Sequence, residues 1–323
     1  MKYVRYSVAQ HQPHIAVGGL GNKASAVVLS NWKESPTPCW LKADLISEIV
    51  FNALRTVDCL SNCNTVTSDH YNADALIGLW SLINQDEALE KKQLLSEVAR
   101  AGLLECCKNR DAVKISFVLD SWARYDLSPL KREIFHRRKE EIVSILYEEL
   151  LPRFDKIMNN FDRLEQYWIQ QESFLDECLS QIERKNISIE EVEEVDLAIV
   201  TLPDSGVPEG KERRKSSFCN TELCHPLAVN QNTDKGRILL VQENRFDFYY
   251  RPESWINCVS KDIPKRIDLT PLATNLTKLE NNEGDWCFDG LEKRSPHLRR
   301  SDLKASAIRL ERLKEELVWF LKT

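Results

Sequence analysis

Short apolar runs and helical periodicities alternate along the first hundred residues. The β-branched runs at 15–17 and 26–29 predict two strands, and the glycines between them predict a β-hairpin. Apolar residues then recur every three or four positions over 41–56, which predicts a helix. A third strand is predicted over 64–68, and a polar turn leads from it into an apolar helix over 75–84. This order of strand, turn and helix indicates an α/β layer.

The pattern changes twice in the rest of the chain. Helical periodicity dominates from about 86 to 185, and an apolar strand at 197–202 and a polar loop at 203–217 follow it. Alternation then predicts strands, before an amphipathic helix at about 308–321. The predicted fold class is therefore α/β, with an N-terminal layered sheet, a helical insertion and a C-terminal α+β portion. The predicted regions are an α/β domain at 1–105, a helical region at 106–190 and a C-terminal α+β region at 191–323.

Charge and composition narrow the classes of partner. The chain has 44 Lys and Arg against 50 Asp and Glu, a net charge of −6, so no overall positive field attracts nucleic acid. It has no apolar run of the roughly 18 residues that a membrane span needs, and no apolar stretch of a secretory signal at its N-terminus. Ten cysteines without an export signal are expected to be reduced thiols in the cytoplasm. The sequence does not indicate an oligomeric state.

Glycine is scarce, which argues against repeated glycine-rich phosphate loops. Only 10 glycines occur, where average usage of roughly 7% would give about 23. Gly19, Gly21 and Ala24 match the loose dinucleotide fingerprint G-x-G-x-x-A. That motif needs a helix directly after it to present amide groups to the pyrophosphate, but a strand is predicted here. The glycines therefore do not predict a dinucleotide site.

The segment between the third strand and its helix carries the candidate chemistry. His70, Asn72 and Asp74 alternate, so in an extended turn their side chains lie on one side. Imidazole and carboxylate together can hold Mn²⁺ or Mg²⁺, and two such ions can polarise a phosphate and activate a water. The alternative is that Asn72 or Asp74 only caps the helix while His70 fills a loop.

The stretch DHYNADALIGLW resembles the first motif of DHH-type phosphoesterases, H-x-D-x-D-G after the first strand. His70 and Asp74 match it, Asn72 replaces an aspartate and Ala75 replaces the glycine. The later Asp-His-His signature of that superfamily does not occur downstream. The resemblance implies a metal-dependent phosphoesterase-like protein with a DHH-like sheet. We predict Asp74, His70 and Asp69 as catalytic residues, and His70, Asn72, Asp74 and Asp44 as metal ligands.

A wider resemblance, to an uncharacterised bacterial family, covers nearly the whole chain. It rests on VVLSNWKESPTP, LKADLISEIVFNAL, the 70–74 motif, LLSEVARAG, YYRPESW, RIDLTPLA and DWCFDG. Asn31 stands where that family has His, Leu45 and Ile46 where it has Thr-Ser, and Leu103 where it has Asp. These replacements leave open a protein that binds without catalysing. We hypothesise a rearranged phosphoesterase-like site that joins the Asn31 loop, Asp44 and the turn 69–74.

The C-terminal part offers candidate substrate contacts. Arg251, Trp255 and Arg266 combine anion-binding and stacking groups, and we group them with Asn31 as predicted substrate residues. Core aromatics with surface cations are the alternative. A further basic cluster of Arg294, His297, Arg299 and Arg300 is too local to indicate nucleic-acid binding.

The predicted function is that of a metal-dependent phosphoesterase-like protein that acts on or binds a small phosphorylated ligand. Because the net charge is negative, a small ligand is favoured over a phosphorylated polymer. The first alternative is a non-catalytic binding or interaction protein with a degenerate phosphoesterase-like site. The second is a helical scaffold that uses the segment 129–185.

Overall fold

The computed structural model describes residues 1–56, 60, 63–204, 223–280 and 284–322. The chain forms two compact units, the first from Met1–Gln170 with Ile256–Asp262 and the second from Gln171–Trp255 with Ile263–Thr323. It is a mixed α/β protein with a parallel sheet near its N-terminus, helices in the middle and a mixed sheet in its C-terminal part. The boundaries expected at 105 and 190 are not those of the two units, and the division into three regions stays a prediction.

The first unit is built on four parallel strands: β1 (Lys2–Tyr3), β2 (His14–Val17), β3 (Ser25–Leu29) and β4 (Thr65–Thr67). They pair in the order β1-β4-β2-β3. The two central strands, β4 and β2, are buried along their whole length, as parallel strands covered by helices usually are.

The hairpin predicted between the first two apolar runs is wrong, because β2 and β3 are parallel, with Ile15 opposite Val27 and Val17 opposite Leu29. Seven residues extend to roughly 23 Å, which exceeds the roughly 13 Å length of a four-residue strand. The segment 18–24 can therefore return along β2 without a helix. Its three glycines all have positive φ values, which suits such a fold-back.

The helix predicted over 41–56 is shorter and begins later than its apolar periodicity suggests. A 3₁₀ turn occupies Cys39–Leu41, and the α-helix α2 spans Ile46–Leu54. α3 (Ala73–Ile83) packs closely on both β2 and α2, since a Cβ on its Gly78 would lie 2.9 Å from Val17 of β2 and 3.2 Å from Ile46 of α2.

The long helical stretch predicted after residue 86 is present as a series of shorter helices. The helices from the N-terminus to residue 183, besides α2 and α3, are α1 (Tyr6–Ala9), α4 (Gln85–Glu90), α5 (Lys92–Leu104), α6 (Arg110–Trp122), α7 (Lys139–Leu150), α8 (Phe154–Asn160) and α9 (Ile169–Glu183). No helix among the described residues is long and apolar enough to cross a membrane.

Besides most of α9, the described part of the second unit contains six strands and three α-helices: β5 (Ser188–Val192), β6 (Leu197–Leu202), α10 (Pro226–Asn230), β7 (Arg237–Gln242), β8 (Arg245–Tyr250), α11 (Thr270–Leu279), β9 (Trp286–Phe288), β10 (His297–Arg300) and α12 (Leu310–Lys322). The strands form a mixed sheet of order β5-β6-β7-β8-β10-β9, in which only β6 and β7 are parallel neighbours. One face of the sheet packs against α11 and α12 around Phe248, Tyr250, Leu272 and Leu317. The polar loop predicted over 203–217 lies mostly outside the described residues.

Candidate functional site

Three segments meet at the carboxyl edge of the parallel sheet. Gly18 and Gly19 follow β2, residues 30–32 follow β3 and residues 68–70 follow β4. Since β4, β2 and β3 are neighbours and parallel, these segments lie side by side. In open parallel sheets, ligands bind outside the carboxyl ends of the strands. The edge is therefore the candidate site.

The glycine pair lies directly against the predicted catalytic residues. A Cβ on Gly18 would lie 2.6 Å from Cε1 and 3.1 Å from Nε2 of His70, and a Cβ on Gly19 would lie 2.6 Å from an oxygen of Asp69. Both glycines have left-handed φ values, +75° and +68°. Because any larger residue would displace the two side chains, the glycine backbone forms one wall of the site.

Asp69 and His70 form a hydrogen-bonded pair at this edge. His70 Nδ1 lies 2.6 Å from Asp69 Oδ1, and the two side chains are 18% and 31% exposed. A carboxylate that accepts from Nδ1–H leaves the Nε2 atom of a neutral imidazole as an acceptor. Nε2 of His70 is buried and has no hydrogen-bond partner among the described residues. The ring of Trp32 lies 5.2 Å from the His70 ring, between centroids.

Two side-chain hydroxyls hold the backbone of His70 in place. The hydroxyl of Tyr147 donates to the His70 carbonyl at 2.6 Å, and the hydroxyl of Ser68 donates to the same oxygen at 2.9 Å. Burial raises the pKa of Tyr147 well above its ordinary value, so its phenol stays protonated and remains a donor. The backbone that carries the imidazole is thus anchored by Tyr147 and Ser68.

Asp74 belongs to the framework of the site. Its two carboxylate oxygens accept from the backbone N–H groups of Ile46 at 2.7 Å and Ser47 at 2.8 Å, so the side chain caps α2. Asp74 is fully buried, which raises its pKa to about 6 although the hydrogen bonds from Ser47 and Ile46 lower it. Both oxygens that were expected to bind a metal are already occupied by amide hydrogens.

Asn72 and Asp44 are also bound to backbone groups. Asn72 caps α3, since its Oδ1 accepts from the Ala75 N–H at 2.8 Å. One oxygen of Asp44 accepts from the N–H groups of Val259 at 2.7 Å and Ser260 at 3.1 Å, and the other accepts from the Ser260 hydroxyl. Burial raises the pKa of Asp44, but these hydrogen bonds outweigh it and leave the pKa below its ordinary value.

The contacts join the three segments of the hypothesised rearranged site. The side-chain amide of Asn31 donates to the Asp44 carbonyl at 2.7 Å. Two residues further along the chain, the N–H of Ile46 donates to the Asp74 carboxylate. Asn31 is buried, and its own carbonyl accepts from the Asn257 N–H at 2.6 Å. The Asn31 loop, Asp44 and the turn 69–74 are therefore connected through residues 44–47.

The donor set does not fit a two-metal centre. The side chains of Asp74, Asp44 and Asn72 accept backbone N–H groups, which leaves His70 Nε2 as the main unused ligand atom of the predicted set. Within the described part of the chain, no three His, Cys, Asp or Glu side chains converge in a way that could hold a metal. Mn²⁺ or Mg²⁺ at these residues stays a prediction, and the geometry does not favour it.

The remaining predicted substrate residues lie in the second unit. The buried guanidinium of Arg251 pairs with Glu253 at 2.5 Å and donates to the Thr233 carbonyl at 2.8 Å. Arg266 lies 5.6 Å from the ring of Trp255 and donates to the Ser254 hydroxyl and to carbonyls of residues 291, 293 and 294. These donors hold the local backbone, and their role as substrate contacts stays a prediction.

Sequence reasoning missed the glycine wall and the anchoring role of Tyr147. The signal for the first was present, since two adjacent glycines directly follow a predicted strand in a glycine-poor chain. The same two glycines are equally compatible with a hairpin. No local signal links Tyr147 to His70, because 77 residues separate them and only the packing of α7 brings the phenol to the turn.

The chain belongs to a family of unknown function, DUF6687, whose family model matches residues 1–323. This agrees with the resemblance of nearly the whole chain to an uncharacterised family, whereas the DHH-like motif stays a resemblance of about a dozen residues. No curated protein and no solved structure matches the chain.

Proposed function

We propose that this member of DUF6687 binds a small phosphorylated ligand at the carboxyl edge of its parallel sheet. The observation that carries the proposal is the His70 Nε2 atom, which is without a hydrogen-bond partner among the described residues and lies against the backbone of Gly18. A polar atom buried in this way costs free energy unless a ligand or water satisfies it. A phosphate monoester fits in either state of the ring, because its P–OH group can donate to Nε2 of a neutral imidazole and its oxygens can accept from Nε2–H of a protonated one.

The proposed ligand is a small phosphate monoester. The Asp69–His70 pair provides the Nε2 atom of an oriented imidazole. Gly18 and Gly19 have no side chains, so a ligand can approach their backbone closely. The ring of Trp32 adds an aromatic surface beside the imidazole. The net charge of −6 disfavours a phosphorylated polymer. Binding without hydrolysis is the form that the geometry favours, because the carboxylates expected to hold metal cap backbone segments instead.

Metal-dependent phosphoester hydrolysis is the second candidate function, and the short Asp69–His70 contact favours it. A histidine oriented by a carboxylate can move a proton in general acid–base catalysis. A chromogenic phosphodiester, incubated with and without millimolar Mn²⁺, tests this function. Turnover that Asp69→Asn abolishes would support hydrolysis, whereas its absence from the wild-type protein would leave binding as the function.

The binding proposal is tested by NMR of the six histidines. The Cε1–H resonance of His70 is assigned by its loss in His70→Asn. On titration with phenyl phosphate, this resonance is expected to shift in a saturable way, because the ligand contacts the same ring. Asp69→Asn is expected to weaken the binding that this resonance reports, because the imidazole loses the carboxylate that orients it.

His11→Asn is the matched control, since His11 is exposed and lies outside the site. The His70 resonance of this variant is expected to titrate as in the wild-type protein. A His70 resonance that does not move at millimolar ligand, or that moves equally in Asp69→Asn, contradicts the proposal. Saturable movement with Mn²⁺ alone would indicate the metal site that the sequence predicted.

We also propose a cytoplasmic location. No disulfide joins any two of the eight described cysteines, as is usual for cysteines in a reducing compartment. The thiols of the purified protein can be counted with a thiol reagent before and after reduction. Ten reactive thiols in the unfolded, unreduced chain are the expected result, and a lower count that rises on reduction would contradict it.

A further inference from the structure

A cavity beside the edge strand β1 is formed where three elements of the first unit meet. β1 contributes Tyr3, and the last turn of α3 contributes Ile83. The end of α7 contributes Tyr147, and the 3₁₀ turn Leu151–Arg153 that follows contributes Leu151. The volume of this cavity, which we call the β1 cavity, is about 390 Å³. Ligand pockets usually measure roughly 300–1,000 Å³, and an apolar cavity of roughly 150 Å³ is enough to bind benzene. The β1 cavity is therefore large enough for a small organic molecule.

Most side chains that line the β1 cavity are apolar or aromatic. Tyr147 and Leu151 are buried and form its inner end, whereas Pro152 is exposed at its mouth. The rings of Tyr3 and Tyr147 lie 5.4 Å apart, between centroids, at a tilt of 49°. Aromatic rings attract a further ring in edge-to-face or offset geometry, beyond the gain from burying its area. The lining therefore favours an aromatic ligand over an aliphatic one of the same size.

The ionisable groups of the lining favour an uncharged ligand. The Arg5 guanidinium donates to both carboxylate oxygens of Glu148, at 2.6 and 2.7 Å, and so neutralises this acid. Lys2 is exposed, so water solvates its ammonium group. Burial raises the pKa values of Tyr3 and Tyr147 above the ordinary range, so both phenols stay neutral. A charged group at the inner end would lose its hydration without gaining an opposite charge.

Asn84 provides one polar group for a ligand. Its side-chain amide donates to the Trp80 carbonyl at 3.1 Å, which fixes the side chain at the end of α3. The side-chain oxygen of Asn84, which lines the cavity, accepts no hydrogen bond within the described part of the chain. The hydroxyl of Tyr147 already donates to the His70 carbonyl at 2.6 Å. A hydroxyl or N–H group of a ligand can therefore donate to Asn84.

We propose that the β1 cavity binds a small uncharged aromatic molecule of one or two rings that carries a single hydrogen-bond donor. The rings of the ligand pack against Tyr3 and Tyr147, and its donor binds the side-chain oxygen of Asn84. The site does not rest on the function proposed for the carboxyl edge of the parallel sheet, because this ligand needs neither Asp69 nor the imidazole of His70.

NMR of the full chain with labelled isoleucine methyl groups tests the site, with 2-naphthol at neutral pH as the probe. The Cδ1 methyl resonance of Ile83 is assigned by its loss in Ile83→Val. It is expected to shift in a saturable way, because the rings of the probe pack beside this methyl group. The resonance of Ile199, in the core of the second unit, is expected to stay unchanged.

2-Methoxynaphthalene has the same rings as 2-naphthol but no hydrogen-bond donor. It is expected to bind about five- to tenfold more weakly, because the oxygen of Asn84 then has no ligand partner. Equal affinities for the two compounds would overturn the single donor that the proposal assigns to the ligand.

Ile83→Trp is expected to weaken the binding of 2-naphthol by about tenfold or more, because the larger indole occupies the cavity. Leu89→Trp is the matched control, since Leu89 is 42% exposed on α4 and does not line the cavity. Equilibrium dialysis against 2-naphthol measures the affinities of both variants, and Leu89→Trp is expected to bind as the wild type does.

A saturable shift of the Ile83 methyl resonance together with lost binding in Ile83→Trp supports the site. An Ile83 resonance that does not move up to the solubility limit of 2-naphthol would overturn it, as would equal binding by Ile83→Trp and Leu89→Trp. If Ile83→Trp does not fold, the methyl titration of the wild type decides alone. Phosphate binding is measured at the His70 resonance, so either proposal can fail while the other holds.

Discussion

At the scale of one residue, Asp74 shows how a carboxylate at the spacing of a metal ligand can instead stabilise the fold by capping a helix. Its spacing from His70 matches a metal ligand, but the side chain points at the first turn of α2. The N-terminus of a helix presents unpaired N–H groups and partial positive charge, which together stabilise a carboxylate that water cannot reach. A buried carboxylate without such partners is strongly disfavoured.

The stability of the protein is therefore expected to depend on the protonation of Asp74. Its pKa is about 6 in the folded chain, above the ordinary 3.8, so the folded state binds this proton more tightly. That stabilisation is complete below the ordinary value and is lost as the pH rises through about 6. Relative to Asp74→Asn, the wild type should lose up to about 3 kcal/mol between pH 4 and 7.5.

Urea unfolding of both proteins across this pH range measures the effect. Asp111→Asn, at an exposed position in α6, is the control for the loss of a carboxylate that is not buried. An unfolding free-energy difference between the wild type and Asp74→Asn that does not change with pH would show that Asp74 does not titrate in this way.

At the scale of elements, the site is made where loops leave neighbouring parallel strands. β2 and β4 deliver the glycine pair and the Asp69–His70 pair to one edge. The chain returns to the same unit at 256–262, where Ile256 pairs with Trp32 and the 259–260 backbone binds Asp44. The edge is thus assembled from segments more than 200 residues apart.

Gly18→Ala is expected to displace His70 at the carboxyl edge of the parallel sheet. The new Cβ would meet the His70 ring at 2.6 Å, and alanine disfavours the left-handed φ of +75° by about 1–2 kcal/mol. Gly21→Ala is the matched control, because its φ of +73° carries the same cost while its Cβ meets Val28 and Ser25 instead. Both variants should be destabilised, but only Gly18→Ala should move the His70 Cε1–H resonance without ligand. Equal spectra for the two variants would contradict the contact.

At the scale of the whole molecule, each unit has its own sheet and its own buried polar cluster. In the second unit, fully buried Glu280 accepts from the Trp286 indole at 2.9 Å, the Ala307 N–H at 3.0 Å and Arg300 at 3.1 Å. It therefore joins α11 to β9, β10 and the turn before α12. Hydrogen bonds and the charge of Arg300 together outweigh the burial of Glu280 and hold its pKa below its ordinary value.

Glu280→Gln is expected to destabilise the fold by about 3–5 kcal/mol, since it leaves Arg300 beside a neutral amide and presents a donor where an acceptor is needed. Thermal and urea unfolding measure the loss. Glu315→Gln, at a side chain 70% exposed in α12, should change stability by less than about 1 kcal/mol. Similar losses for both variants would rule out a special role for the buried cluster.

Much of the secondary structure was predictable from the sequence, because the buried face of a helix or strand places apolar residues at a regular spacing along the chain. The strands near 15–17, 26–29, 197–202 and 246–250 and the terminal helix follow from apolar runs or alternation. The start of α2 was not predictable, because its cap comes from Asp74, 28 residues away. The direction of β3 was also not predictable, since glycines that allow a hairpin equally allow a short parallel return.

The sequence by itself determined the α/β class, the family and the position of the 69–74 turn after a strand. Only the tertiary structure decided what each side chain of that turn does. Asn72 and Asp74 cap the N-termini of α3 and α2. The Nε2 atom of His70, beside Gly18, has no hydrogen-bond partner among the described residues. The reason is physical: local patterns depend on which face of an element is buried, but the use of a carboxylate or imidazole depends on the N–H groups that distant segments bring to it.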